Sequence, residues 1–188
     1  VSNRWTQAAT ILPPTLKVCG RRLLPFCLRH RVALEAIGSP IIQTHLEATA
    51  KDVLAACRIL SSHDLTALRK PPTFSEGLWL ARMSWNKKAL IAEAVKLHYY
   101  FEAQSLWPRF WEKENAGRSD GSVPWPLAVV ASLIRNGATL EEAWTMPEAE
   151  AVWLHVAHSV ASGADISVVS DTEWEAMEEY KKQEASRN

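Results

Sequence analysis

Side chains able to do chemistry are few in this chain, and they fall into two pairs. Cys27 and His30 stand three positions apart, the residue types of a thiolate nucleophile and its base. Such a pair needs a third group to orient the imidazole and donors to hold an oxyanion, and nothing in the sequence marks either. His155 and His158 form the second pair, at i, i+3 rather than the i, i+4 spacing of a helical zinc motif. Around a helix His158 points away from the apolar stripe and His155 flanks it, so both read as surface residues. The three cysteines, at 19, 27 and 57, include no Cys-x-x-Cys, which argues against a four-ligand zinc site and against a disulfide framework. Cys57 reads as a small core residue. Seven scattered glycines, mostly at helix ends, make no phosphate loop. The chain therefore reads as non-enzymatic, with no cofactor.

The elements that would position these residues are helical. Over 124–165, Leu127, Val130, Leu133 and Ile134 recur on one helical face. Gly137 stops that helix, and Thr139 with Glu142 supplies a capping box for a short successor. Pro147 opens a third helix, with Ala149, Val152, Trp153, Val156 and Val160 in one arc and Gly163 at its end.

Upstream, residues 1–14 read as an irregular arm closed by Pro13-Pro14. Thr15 to Val18 and Arg22 to Leu24 flank a Cys19-Gly20-Arg21 turn, with room for one short β-hairpin. A helix is expected over 25–37, and a second, capped by Thr49 and Asp52, to about Ser61. A further short helical piece spans 64–69. The aromatic-rich segment 74–85 suits helix better than strand. Over 86–107 a long helix carries Leu90, Ala94, Leu97 and Phe101 on one face, widened by Ile91, Val95 and Tyr99, and so broad an apolar face implies a central helix. Ile166 to Val169 reads as a brief apolar connector. Ser170 and Glu173 cap a last helix with an apolar Trp174, Met177, Tyr180 stripe.

The fold class is thus mainly α, a compact multi-helix protein. It divides into an N-terminal helical part with a basic face (1–111), a linker (112–122) and a C-terminal acidic helical part (123–188). Charge is asymmetric although the total is zero. Residues 1–70 hold ten Lys/Arg against four Asp/Glu, and residues 119–188 hold four against twelve. The two ends should attract, within one molecule or between copies in self-association. Arg21, Arg22, Arg29, His30 and Arg31 concentrate the positive charge, which reads as a solvated or docking face before a nucleic-acid patch, since no aromatic interleaving accompanies it. A helix-turn-helix reading of 137–157 fails because Glu148 and Glu150 would meet phosphates. No uncharged run reaches the roughly 20 residues of a membrane span. The brief apolar run after Arg4 does not read as a signal peptide.

The segment PWPLAVVASLIRNGATLEEAWTMPEAEAVWLHVAHSVASGADI, with its Gly-x-Thr-x-Glu-Glu-Ala-Trp-x-Met-Pro joint between two helices, resembles tail assembly chaperones of tailed bacteriophages and prophages. The upstream RRLLPFCLRHRVALEAIGSPII is similar to the N-terminal region of uncharacterised proteins encoded among phage tail genes. The resemblance implies a helical, non-enzymatic protein of the bacterial host cytoplasm that binds the tape measure protein and helps recruit tail-tube protein. On it, Trp144, Met146, Leu154 and Trp174 are the expected partner-binding residues, against the plainer reading that Trp144 and Met146 plug the core between helices. A structural virion connector or tail-completion protein, and a small nucleic-acid-binding regulator, are the alternatives.

Overall fold

A computed structural model describes residues 4–10, 15–43, 47–110 and 123–185. In chain order these form α1 (Arg4–Thr10), β1 (Lys17–Val18), β2 (Arg21–Arg22), α2 (Leu28–Ala36), α3 (Ala50–Leu60), a 3-10 turn (Leu65–Arg69), α4 (Phe74–Trp85) and α5 (Lys87–Gln104). There follow β3 (Arg109–Phe110), α6 (Trp125–Arg135), α7 (Leu140–Thr145), α8 (Glu148–Ala161), β4 (Val168–Val169) and α9 (Asp171–Ala185). The fold is mainly α, as the periodicity predicts, with two short antiparallel strand pairs among the described residues. By contact the chain forms two compact units: Leu12–Ser105 with Trp144–Glu148, and Val1–Ile11 with Leu106–Ala143 and Ala149–Asn188. The linker expected over 112–122 lies outside the described residues.

The first unit is organised on α3. Val53, Leu54, Ala56, Cys57, Ile59 and Leu60 are all buried there, packed with Leu34 of α2 and with Leu97 and Tyr100 of α5. Thr49 and Asp52 start α3 with the expected reciprocal capping box. The β1–β2 hairpin pairs Lys17 with Arg22 and Val18 with Arg21. Its turn is the two residues Cys19-Gly20, both with positive φ (53° and 74°), the twist that matches a two-residue hairpin. α2 begins at Leu28 rather than at Pro25, because Cys27 is extended (φ −130°, ψ 169°) and its backbone bridges to Pro147.

Glu76 is the polar hub of this unit. It accepts from Arg58 Nη2 and Arg21 Nη2, both at 2.7 Å, while closing a capping box with Thr73 at the start of α4. Arg58, foremost, holds the Glu76 carboxyl far below the usual carboxylate range, against the opposing push of burial.

In the second unit, α6 and α8 supply Val129, Val130, Leu133, Val152 and Val156 to a core that includes Val169 of β4. The α6 stripe is rotated from the expected one: Val129 is buried, whereas Leu127 and Ile134 are exposed. Val160 of α8 is exposed as well. Gly137 and Gly163 end α6 and α8 with φ of +103° and +92°, where a β-carbon would be strained. Two elements depart from the sequence reading. Residues 4–10 are helix rather than irregular arm, held by a Trp5–Trp153 ring contact at 6.3 Å and an Arg4–Asp171 ion pair at 3.9 Å. The apolar connector contains β4, which pairs Val169 with Arg109 and Val168 with Phe110. No helix among the described residues is long and apolar enough to cross a membrane.

Candidate partner-binding surface

α4 carries apolar residues at 74, 78, 81 and 85, spaced four, three and four apart, which at 100° per residue places them within about 60° of arc. This is the spacing of a coiled-coil seam. In this unit it is not covered: Phe74, Leu78 and Trp85 are 91%, 66% and 92% exposed. The inward face of α4 is instead set by Met83 and by Glu76 in its arginine clamp.

Asn86 ends α4 and caps α5, accepting from the Ala89 amide at 3.0 Å. On α5, Leu90, Ala94, Leu97, Tyr100 and Phe101 face the core. The three residues expected to widen that face do the opposite, since Ile91, Val95 and Tyr99 lie between 56% and 61% exposed. The broad apolar face is two faces, one packed and one open, and the central helix is α3. Exposed cations border the open stripes, at Arg82, Lys87, Lys88 and Lys96. Aromatic and aliphatic side chains thus lie open on adjoining helices, among exposed charges of both signs, since Lys96 pairs with Glu93 at 2.6 Å and the exposed Glu102 lies on the same arc as Ile91, Val95 and Tyr99.

No protein-family profile, curated protein or solved structure matches this chain.

The four residues expected to bind a partner are partly buried. Trp144 and Met146 belong to the first unit, in a strip fastened to the segment just before α2 by the Glu148 amide on the Phe26 carbonyl at 2.8 Å. Leu154 and Trp174 belong to the second unit, where the Arg109 guanidinium lies 4.6 Å over the Trp174 ring. The open seam of α4 escapes sequence reasoning because its segment is apolar on all sides, at 74, 78, 79, 80, 83 and 85, so periodicity does not say which face is covered.

The basic cluster is largely engaged. Arg21 pairs with Glu76, Arg31 with Glu148 at 2.8 Å, and the Arg29 guanidinium donates to the His63 carbonyl at 3.4 Å. His30 is fully buried. The Arg31–Glu148 pair joins one residue of the basic cluster to one acidic residue within a single compact unit.

The reactive residues are arranged more closely than their spacing implies. Cys27 and His30 are joined by His63, one ligand atom from each lying within 4.8 Å of the others. His30 Nε2 donates to the Ser62 carbonyl at 3.2 Å, which supplies the orienting partner that the sequence does not mark. Burial pushes the Cys27 thiol up to about 11 and the His30 imidazole down to about 4, the latter aided by His63. A thiol so protonated is a poor nucleophile.

His155 and His158 are not plain surface residues. Both are partly buried and line an open groove of about 750 Å³ between α6 and α8, beside Arg135 and Ser159. Burial, then His158, lowers the pKa of His155.

Proposed function

We propose that this protein is a non-enzymatic tail assembly chaperone of a tailed bacteriophage or prophage, acting in the bacterial cytoplasm. Its α4–α5 surface receives a helical segment of the tape measure protein. The observation that supports this most is the uncovered 4-3-4 seam of Phe74, Leu78, Ala81 and Trp85 beside the open Ile91, Val95, Tyr99 stripe. A protein that coats a long helical client needs an apolar surface that is available in the free chain and a charge rim that sets register. The exposed cations at Arg82, Lys87 and Lys88 favour clients with acidic flanks. Trp144 and Met146, partly buried in the same unit as α4 and α5, and Leu154 and Trp174, partly buried in the other unit, each bind a partner through their remaining exposed edges. Tail-tube protein is recruited by the resulting complex.

Co-expression with a tape measure segment tests the reading. The wild-type chain is expected to co-purify with it, and Leu78→Asp with Trp85→Asp to abolish that while the fold persists. Retention of the complex by this double variant removes the seam from the mechanism. Trp144→Ala and Leu154→Asp, if both leave binding intact, remove the helix-joint residues. Presence of the protein in purified particles would favour the connector reading instead, since a chaperone leaves the finished tail.

A further inference from the structure

Cys27 caps α2 and His30 follows within its first turn, so both side chains leave the same end of one helix. His63 arrives from the loop after α3, thirty-three positions from His30 by number, with one ligand atom within 4.8 Å of those of Cys27 and His30. Both Cys27 and His30 are wholly buried, at 0% exposure, and His63 is partly exposed. Since the Ser62 carbonyl can only accept, His30 donates to it from Nε2, and its buried Nδ1 makes no hydrogen bond of normal geometry.

We propose that Cys27, His30 and His63 bind a divalent ion of the zinc class through the thiolate sulfur, His30 Nδ1 and one His63 nitrogen, leaving a fourth tetrahedral position to solvent or an added ligand. Metal–sulfur and metal–nitrogen bonds of about 2.3 and 2.0–2.1 Å set donors roughly 3.3–3.6 Å apart in a tetrahedron. One ligand atom from each of the three side chains already lies within 4.8 Å of the other two, and side-chain rotation brings the donors to that separation. An imidazole whose second nitrogen donates to a backbone carbonyl is the usual support of a metal-bound histidine. Three soft or borderline donors with no carboxylate among them favour zinc over calcium or magnesium.

Proton and charge balance follow from the same geometry. The Cys27 sulfur exchanges its proton, released to buffer, for a metal bond, and no electron moves. The buried thiolate that is costly in the metal-free protein is then neutralised by the cation. His30 enters as the neutral ring that burial already enforces. Of the charged groups that act on Cys27, Arg29 opposes a cation and Glu148 favours one. The ion ties the head of α2 to the loop after α3, inside one compact unit, and the partly exposed His63 provides a route from solvent.

Titration of the full chain with Co2+ is the test. One equivalent should produce the visible bands of tetrahedral cobalt together with a thiolate-to-metal charge-transfer band, and Zn2+ should displace both. Zn2+ at about 100 times its Kd should raise Tm by roughly 5–10 °C. Cys27→Ser should remove the charge-transfer band, and His63→Gln, at a partly exposed loop position, should weaken binding with the circular dichroism spectrum unchanged. The double variant Cys19→Ser/Cys57→Ser and the double variant His155→Ala/His158→Ala should bind as wild type does. Absence of the bands in the wild-type chain, or their persistence in folded His63→Gln at unaltered affinity, overturns the proposal.

Discussion

Arg31 grips Glu148 from 117 positions away, its Nε lying 2.8 Å from both carboxylate oxygens. Glu148 is 2% exposed, and burial raises its pKa despite the arginine. Removing the guanidinium leaves a buried charge without its partner. Arg31→Ala is therefore expected to cost about 3–5 kcal/mol in urea unfolding, and Arg31→Met with Glu148→Leu to recover most of it. A raised carboxyl stabilises the fold below its unfolded pKa and loses that contribution as pH rises through the folded value. The Arg31→Ala deficit should accordingly be smaller at pH 4 than at pH 7.

Glu76 has the opposite sign. Its carboxyl is depressed by Arg58 foremost and further by Thr73 and Arg21. Its stabilisation is present above the unfolded pKa of about 4.3 and is lost as pH falls toward the folded value. Glu76→Gln should destabilise by about 3 kcal/mol at pH 7 and flatten the loss of stability on acidification below pH 4. Equal slopes in the two proteins, measured by urea unfolding across pH 2–6, would show that Arg58 and Arg21 do not hold this charge.

The open seam predicts stability without dependence on its apolar side chains. Leu78→Asp, Trp85→Asp and Ile91→Asp should each change unfolding free energy by no more than about 0.5 kcal/mol, because the wild-type residues are exposed. Burial of the same residues against α3 would give losses of about 2–5 kcal/mol. Thermal and urea unfolding of the three variants distinguishes the cases.

Cys57 Sγ lies 3.2 Å from Cys19 Sγ. That contact, with burial behind it, raises the Cys57 pKa, and the two cysteines are not joined in a disulfide. Diamide is expected to oxidise Cys19 and Cys57 to one disulfide, two electrons passing to the reagent and two protons following, with Cys27 unbridged. Peptide mapping by mass spectrometry checks this; a Cys27-containing bridge would contradict the arrangement. Closure of the 38-residue separation should slow unfolding of the oxidised form.

Helix identity was legible because it depends on neighbours in sequence. The capping boxes at Thr49–Asp52, Thr139–Glu142 and Ser170–Glu173 form as their spacing dictates, since each closes within one turn. So do the glycine ends at 137 and 163. The Thr73–Glu76 box obeys the same spacing and lay within the segment whose apolar residues point in every direction.

Which apolar face is covered, and which reactive residues meet, was decided by the tertiary structure. Periodicity shows that Ile91, Val95 and Tyr99 share a face with one another, but whether anything packs on that face depends on α3 taking the centre. The seven-residue α1 is too short to be stable by itself and owes its place to Trp153 and Asp171. His63 carries no spacing signal toward Cys27 and His30, because the chain between them includes all of α3. Local hydrogen-bond geometry repeats every three or four residues and can be read from sequence. Contacts across tens of residues are set by how whole helices bury area together, and that choice placed the open seam and the Cys27, His30, His63 cluster.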